Sequence, residues 1–536
     1  LRFSPAVEVL ETAFVTNDFI FSQSTNYDRA MNTPSTHRDW IGKWAVYAPA
    51  KIAVKEYETG RSLTYRELNT LGNHVAQTLT GKGLQKGDRV AILAESCLEY
   101  FVLFAAAQKT GIVLVPLNYR LSAREIDFLL SDSAPALVIT QAKFQSVVEA
   151  CAHYQSVAHK IGLEEFQRDV YDRRGQAYAF PASVELTDDD PIFILYTSGT
   201  TGFPKGALYT HGMLFWNSVN THLRLDITSD DVSIICTPPF HTGGWNIIPT
   251  PFLHHGASFT VMQKFDADAV VRLLESERVT MFMAVPTMIQ MMKEAPAFRS
   301  ADLSSVRYFI IGGEPLPLPV IEEWQKRGIP IRQGFGMTEV GPSVTSLHQD
   351  DSARKIGSIG TLNFYLEARV VDDNGNDVPQ GEEGELALRG PVVTPGYRNN
   401  PKAAEETIKG GWFFTGDIVR QDAEGYFYVL DRKKNMYISG GENVYPAEVE
   451  KFIGTHEDVQ EVAIIGVPDE KWGEVGKAFV ALKHGATLAA EEVIQYCSGN
   501  LAKYKIPKYV EFLEELPKSD TGKIDRKRLK QQNASV

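Results

Sequence analysis

The chain TYRELNTLGNHVAQTLTGKGL places Leu68, Leu71, Val75 and Leu79 on one helical face, behind Thr64 and Glu67 at capping-box spacing. Gly81 and Gly83 end the pattern, so an amphipathic helix is predicted. Short apolar runs then alternate with helical periods: DRVAILAE (strand), LEYFVLFAAAQKTG (helix), GIVLVPLN (strand), EIDFLLSDS (helix) and ALVIT (strand). The same alternation returns in VSIICTPPF, ADAVVRLLESE, VTMFMAVP, MIQMMKEA and VRYFIIGGE. Strands separated by crossover helices predict two α/β layers.

After about residue 360 the periodicity shortens to strands joined by turns, as in EARVVDDNGNDVPQGEEGELALRG, where Asp373-Asn374-Gly375 marks a turn. A β-rich subdomain over about 360–430 is predicted. Around DRKKNMYISGGENVYP charge and glycine replace apolar periodicity, and AEVEKFIGT, VQEVAIIGVPD, KAFVALK and EEVIQYCSGNLA then read as helix, strand, strand and helix. A boundary is placed near 431–434, dividing a large domain (1–431) from a small α+β domain (432–536). The fold class expected is therefore α/β: two α/β layers, a β-rich subdomain and a small C-terminal domain.

Composition narrows the partners. With 536 residues the chain exceeds a single core, and 54 basic against 67 acidic residues leave a net charge of −13. Such a field repels nucleic acid and anionic membranes, so an anionic ligand needs a local site. The cysteines at 97, 151, 236 and 497 have no metal-ligand spacing and are expected as free thiols. The longest apolar run, Tyr100 to Ala107, is too short to span a bilayer. LRFSPAVEVLETAF lacks the pattern of a signal peptide and begins without methionine, which fits a truncated or processed start; NASV is no peroxisomal or prenylation signal. A cytoplasmic location is expected, and homodimerisation is compatible with such a chain.

The candidate chemistry starts at YTSGTTGFPKG, Tyr196 to Gly206. Glycines and hydroxyls there can aim several amides and side chains at one anion, with Lys205 adding a charge. Walker A spacing is absent, because Pro204 precedes the lysine and Gly206 follows it. A polar surface turn is the plain alternative. Further along stand IIGGEP (Ile310 to Pro315), QGFGMTEVGP (Gln333 to Pro342), FFTGD (Phe413 to Asp417), DRKKNMYISGGENVYP (Asp431 to Pro446) and LPKSDTGKIDR (Leu516 to Arg526).

These motifs in this order resemble the ANL superfamily of adenylate-forming enzymes, which includes acyl- and aryl-CoA synthetases, peptide-synthetase adenylation domains and firefly-type luciferases. The resemblance runs from about residue 40 to the end. It implies a two-step reaction. A carboxylate attacks the α-phosphate of Mg-ATP, releasing pyrophosphate, and a thiol then displaces AMP from the acyl-adenylate.

The resemblance also implies roles. Thr197, Ser198, Gly199, Thr200, Thr201 and Lys205 would hold the triphosphate; Glu339 would bind Mg²⁺ and Thr338 would reach the α-phosphate. Phe335 would stack on adenine between Gly313, Glu314 and Gly334, while Asp417 and Arg432 would contact ribose or phosphate. Lys523 would bridge the carboxylate and the α-phosphate in adenylation. Lys434 falls at the hinge position of a mobile lid. In a second lid pose Ser439, Gly440, Gly441 and Glu442 would line a pantetheine channel, with Trp472, Tyr504 and Lys508 near the CoA nucleotide. Each of these also has an ordinary reading as packing, ion pairing or a solvated face.

For the acid, PPFHTGGWN (Pro238 to Asn246) matches the segment that shapes the acyl pocket. His241 stands where amino-acid-activating relatives carry Asp, and no carrier domain follows in this sequence, which disfavours a peptide-synthetase role. Gly336 replaces the tryptophan that closes the pocket of acetate-activating relatives, leaving an open floor beside Gly243. Trp245 matches the tryptophan gate of some long-chain enzymes, against a reading as core packing. A medium- or long-chain fatty acid is expected, with CoA as acceptor. The alternatives are an aryl-CoA ligase, a ligase loading a carrier protein, a luciferase-like oxygenase and a noncatalytic acid- or nucleotide-binding relative.

Overall fold

The computed structural model describes residues 38–173, 176, 184–197, 204–312, 318–439, 442–498, 500, 501, 503–519 and 522–533. Among these residues the strands form five sheets. The helix expected from the Leu68 face spans Tyr65–Gly81, and Thr64 and Glu67 close a reciprocal capping box at its start. Its apolar face, Leu68, Leu71, Val75 and Leu79, is buried.

The first α/β layer is a six-stranded sheet. Its spatial order is His159–Gly162, Leu137–Thr140, Arg89–Leu93, Val113–Pro116, Pro191–Thr197 and Lys205–Thr210. The first five are parallel; the last turns back antiparallel, with Thr197 opposite Lys205. The helix Glu99–Thr110 is buried along its whole length, which explains an apolar run without a polar face. Residues 198–203 lie outside the described residues; the strands Pro191–Thr197 and Lys205–Thr210 flank them.

The second α/β layer is split between two sheets. One orders Ser62–Thr64, Ile52–Glu56, Ser258–Val261 and Val232–Ile235. The other runs Met281–Ala284, Tyr308–Ile311 and Ile331–Phe335 in parallel, then adds Thr345–Ser346 and Thr361–Leu362 antiparallel. The motif segments beginning at Gly312 and Gly336 leave the carboxyl ends of this parallel trio, where α/β sheets open their ligand crevices.

The β-rich region is an antiparallel sheet of Glu367–Val371, Glu383–Arg389, Trp412–Gln421, Ile408–Lys409 and Phe427–Arg432. The turn expected at Asp373-Asn374-Gly375 forms: Gly375 has φ +81°, and Asp372 Oδ1 accepts from the amides of Asn374 and Asn376. The last sheet orders Glu442–Val444, Tyr437–Ser439, Gly473–Leu482 and Val459–Asp469, with Tyr509–Phe512 parallel to Gly473–Leu482. Helices Pro446–Ile453 and Ala490–Cys497 pack on it through Val449, Ile453, Val493 and Cys497.

The chain passes from the β-rich sheet to the last sheet between Arg432 and Tyr437. Asp431 spans that passage. Its Oδ1 accepts from the Arg432 amide and Asn435 Nδ2, and its Oδ2 accepts from the Ala447 amide at the start of the next helix. The four cysteines are free and buried.

Candidate active site

Glu339 sits in a short 3₁₀ turn, Thr338–Val340, directly after the strand bearing Gly334 and Phe335. The carboxylate is buried, and its Oε1 accepts from Thr197 Oγ1 at 3.1 Å and from the Tyr397 hydroxyl at 3.3 Å. The strand Pro191–Thr197 and the Gly-Met-Thr-Glu turn, joined by residues 142 apart, therefore meet side chain to side chain.

Tyr397 was not among the expected site residues. The segment 394–398 stitches the Lys205 strand to the Glu339 turn: the Leu208 amide donates to Gly396 O and the Arg398 amide to Gly206 O. Thr394 Oγ1 donates to Leu208 O, while the Thr394 amide donates to Glu339 O at 2.7 Å. Lys205 Nζ lies over the Tyr397 ring, 5.2 Å from its centroid. One tyrosine thus faces both the cation and the carboxylate. Its sequence context, a Pro-Gly turn before an aromatic residue, does not set it apart from other β-rich segments.

Gly334 and Phe335 pair with Ser346 and Thr345, which fixes the end of the strand. Phe335 is half-buried. A Cβ built on Gly312 would stand 3.7 Å from Gly334 O, so the ends of two neighbouring strands approach as bare backbone. Gly313 and Glu314 lie outside the described residues, as do Ser198, Gly199, Thr200, Thr201, Gly440 and Gly441.

Asp417 and Arg432 face each other across adjacent strands and form an ion pair of 2.6 Å. Burial pushes the Asp417 carboxyl up to about 6; the positive charges of Arg432 and Lys523 only partly offset it. Its Oδ2 is buried and accepts no hydrogen bond, so one lone-pair face is left for a ligand hydroxyl. Lys523 follows Gly522 at φ +82°, in a turn where the Ser519 amide donates to Lys523 O. Its positive charge acts on the Asp417 carboxyl.

Lys434 is exposed in the passage between sheets. Partial enclosure of its ammonium group, with the charges of Arg432, Arg526 and Lys530, holds its pKa below the usual lysine value against the pull of Asp417. Elsewhere on the last sheet, Ser439 pairs with both Glu442 and Gly473. Asp469 Oδ1 accepts from the Trp472 amide, and Lys508 pairs with Asp469 Oδ2. The backbone of the exposed Trp472 thus lies next to the strand pair Ser439–Gly473 and shares Asp469 with Lys508; Tyr504, also exposed, lies in the turn Lys503–Lys505.

In the acyl-pocket segment, the positions separate. A Cβ on Gly243 would stand 3.5 Å from Met283 Cε, 3.7 Å from Thr237 Cγ2 and 4.0 Å from Ile247 Cδ1, in ordinary contact with three apolar atoms. The half-buried His241 packs its ring against Phe240, and Phe240 meets Tyr119 edge to face. Trp245 does not fit the gate expected of it. It is 0% exposed, its indole Nε1 donates to Pro239 O at 2.7 Å, and Tyr100, Phe101, Phe104 and Phe193 surround its ring. It is a core residue.

Gly336 also needs another explanation than an open floor. A Cβ there would lie 2.0 Å from Pro342 O, so closure of the 336–342 turn itself demands glycine. This requirement holds whatever acid is bound.

The donors suit the groups they were expected to hold. A single buried carboxylate among hydroxyls matches Mg²⁺, which binds through one or two carboxylates plus substrate phosphates. Among the described residues there is no cluster of three or more acidic, His or Cys side chains that would form an all-protein metal cage, nor any helix long and apolar enough to cross a membrane.

Residues 42–398 match the model of the AMP-binding enzyme family, and residues 448–523 that of the AMP-binding enzyme C-terminal domain. Feruloyl-CoA synthase of an Amycolatopsis species is 39% identical over 90% of this chain and 97% of its own. The long-chain-fatty-acid–CoA ligase FadD13 of Mycobacterium tuberculosis is 38% identical over 92% and 97%. The solved structure of o-succinylbenzoate CoA synthetase from Bacillus subtilis with ATP and magnesium ion superposes with a TM-score of 0.82, at 32% identity, covering 92% of this chain and 99% of that one. The chain belongs to the AMP-binding enzyme family, within the ANL superfamily, and is an AMP-forming acid–thiol ligase of the acyl- or aryl-CoA type.

Proposed function

We propose that this ligase activates a medium- or long-chain fatty acid and transfers the acyl group to CoA. Support comes from the apolar wall that Met283 Cε, Thr237 Cγ2 and Ile247 Cδ1 form beside Gly243. Such a wall favours burial of alkyl surface at roughly 25 cal/mol per Å². A second reading, an aryl acid, draws on the Tyr119–Phe240–His241 run of rings, which suits edge-to-face contact with an aromatic acid. It is also the substrate class in the name of the feruloyl-CoA relative.

In the proposed first step, a carboxylate oxygen attacks the α-phosphorus and the bond to the pyrophosphate oxygen breaks. Mg²⁺, when bound, neutralises phosphate charge. Glu339, oriented by Thr197 and Tyr397, would hold it, and Lys205 would face the departing phosphates. Asp417 would accept a ribose hydroxyl on its unpartnered Oδ2, and Arg432 would keep that carboxylate oriented. Lys523 would bridge the carboxylate and the α-phosphate, a bidentate role that lowers the repulsion of two anions brought into line.

In the second step the CoA thiol loses its proton to solvent, the thiolate attacks the acyl carbonyl, and the bond to AMP breaks. Ser439, Glu442, Trp472, Tyr504 and Lys508 would form the approach for CoA, with rotation about Lys434 exchanging the two faces of a mobile lid (432–536). Pyrophosphate release and thioester formation, measured across acids from C2 to C18 and several aryl acids, test the substrate reading. A maximum at C8 or longer supports it; a maximum among aryl acids replaces it with the second reading.

A further inference from the structure

The passage between the β-rich sheet and the last sheet is held from both sides. On the first side Arg432 pairs with Asp417 at 2.6 Å, the Lys433 amide donates to Gly416 O at 2.9 Å, and Lys433 Nζ pairs with Glu385 at 3.0 Å. The chain up to Lys433 is therefore tied to the β-rich sheet. On the far side the helix Pro446–Ile453 is tied to the last sheet: Val449 and Ile453 are buried in its core, and Glu450 accepts from the Ile464 amide at 2.6 Å and pairs with Arg526 at 2.5 Å. The exposed Lys434 lies between these two bodies.

One carboxylate crosses from the first body to the second. Asp431 is buried in the strand Phe427–Arg432 of the β-rich sheet, yet its Oδ2 accepts from the Ala447 amide at 2.8 Å and its Oδ1 from Asn435 Nδ2 at 3.0 Å, both beyond Lys434. The helix depends on that bond for its cap. Its own N-cap residue, Tyr445, makes no side-chain cap bond, and Pro446 has no N–H, so Ala447 carries the first amide of the helix. A cap is ordinarily supplied by the residue next to the helix. Here it comes from 16 positions earlier, and as a carboxylate it also suits the positive end of the helix.

We propose that Asp431 is a positioning residue, a latch that holds the lid in the pose described and gives up the Ala447 amide when the chain turns at Lys434. The inference rests on the reading of residues 432–536 as a lid that turns there.

A turn at Lys434 carries Ala447 with the last sheet while Asp431 stays on the β-rich sheet, so the bond is made in one pose and lost in the other. A contact with that difference shifts the balance between the two poses, and a hydrogen bond to a carboxylate is strong enough to shift it about tenfold. In the pose described the charge of Lys523 acts on the Asp417 carboxyl. The latch therefore favours adenylation over thioester formation.

Asp431→Ala and Asp431→Asn test this in two measurements on the full chain. The first is the rate of trypsin cleavage after Lys434 without ligands, followed by mass spectrometry, which reads the freedom of the passage apart from catalysis. Cleavage should quicken at least threefold in both variants. The second follows the half-reactions separately. Acyl-adenylate formation should fall about fivefold to tenfold, while thioester formation from supplied acyl-adenylate and CoA is unchanged or faster; a merely structural loss lowers both alike. Asn435→Ala removes one donor beyond the pivot and should move both readings the same way by about twofold; it decides alone should the Asp431 variants fail to fold. Faster cleavage with an equal fall in both half-reactions supports the latch and discards the assignment of the two poses to the two steps. Wild-type cleavage rates in the folded variants overturn the latch.

Discussion

At the scale of single residues, Asp417 carries the clearest consequence. Its carboxyl is lifted from 3.8 to about 6, mainly by burial, so the folded chain holds a proton there that the unfolded chain has lost. Its contribution to stability therefore falls as pH rises between about 4 and 6. Nucleotide binding is expected to run the other way, because the ionised form is the stronger acceptor for a ribose hydroxyl. The KM for ATP should rise as pH drops below about 6, and Asp417→Asn should flatten that limb. An identical limb in the variant would assign it to another group. Tyr397→Phe removes one hydrogen bond to Glu339, worth about 1 kcal/mol. A roughly fivefold fall in kcat/KM is expected, with a higher Mg²⁺ requirement; an unchanged Mg²⁺ titration would leave Tyr397 a purely structural residue.

At the scale of elements, motifs and secondary structure were unequally legible. The capping box at Thr64 and Glu67 and the apolar face behind it predicted the helix Tyr65–Gly81 because local chemistry fixes both its start and its buried side. The split of the second α/β layer into two sheets was not visible, since strand order is set by long-range pairing that no local period records. Trp245 shows the same limit: its position matched a gate, but four aromatic neighbours from distant segments make it core. Trp245→Ala should cost about 3–5 kcal/mol of stability and leave the order of preferred acids intact. A changed chain-length profile at unchanged melting temperature would restore the gate. Gly336→Ala meets Pro342 O at 2.0 Å and should displace the turn carrying Glu339, lowering activity on every acid. Selective loss of long acids alone would favour the pocket-floor reading.

At the scale of the whole molecule, residues far apart in sequence meet in two clusters. Thr197 and Tyr397 meet at Glu339, Arg432 pairs with Asp417, and the charge of Lys523 reaches that same carboxyl. The Ser439 hairpin, Trp472 and Lys508 gather on another part of the last sheet. The proposed lid would serve the two half-reactions with different faces. Family motifs singled out Glu339, Asp417, Arg432 and Lys523 in the sequence; Tyr397 was missed because its contacts with Glu339 and Lys205 arise only in space. The most direct measurement follows both half-reactions of Lys523→Ala in a single enzyme preparation. Acyl-adenylate formation from acid and ATP should fall at least a hundredfold, while thioester formation from supplied acyl-adenylate and CoA stays within about threefold of wild type, the first loss corresponding to about 2.7 kcal/mol of transition-state stabilisation. Equal loss of both half-reactions would contradict the division of labour.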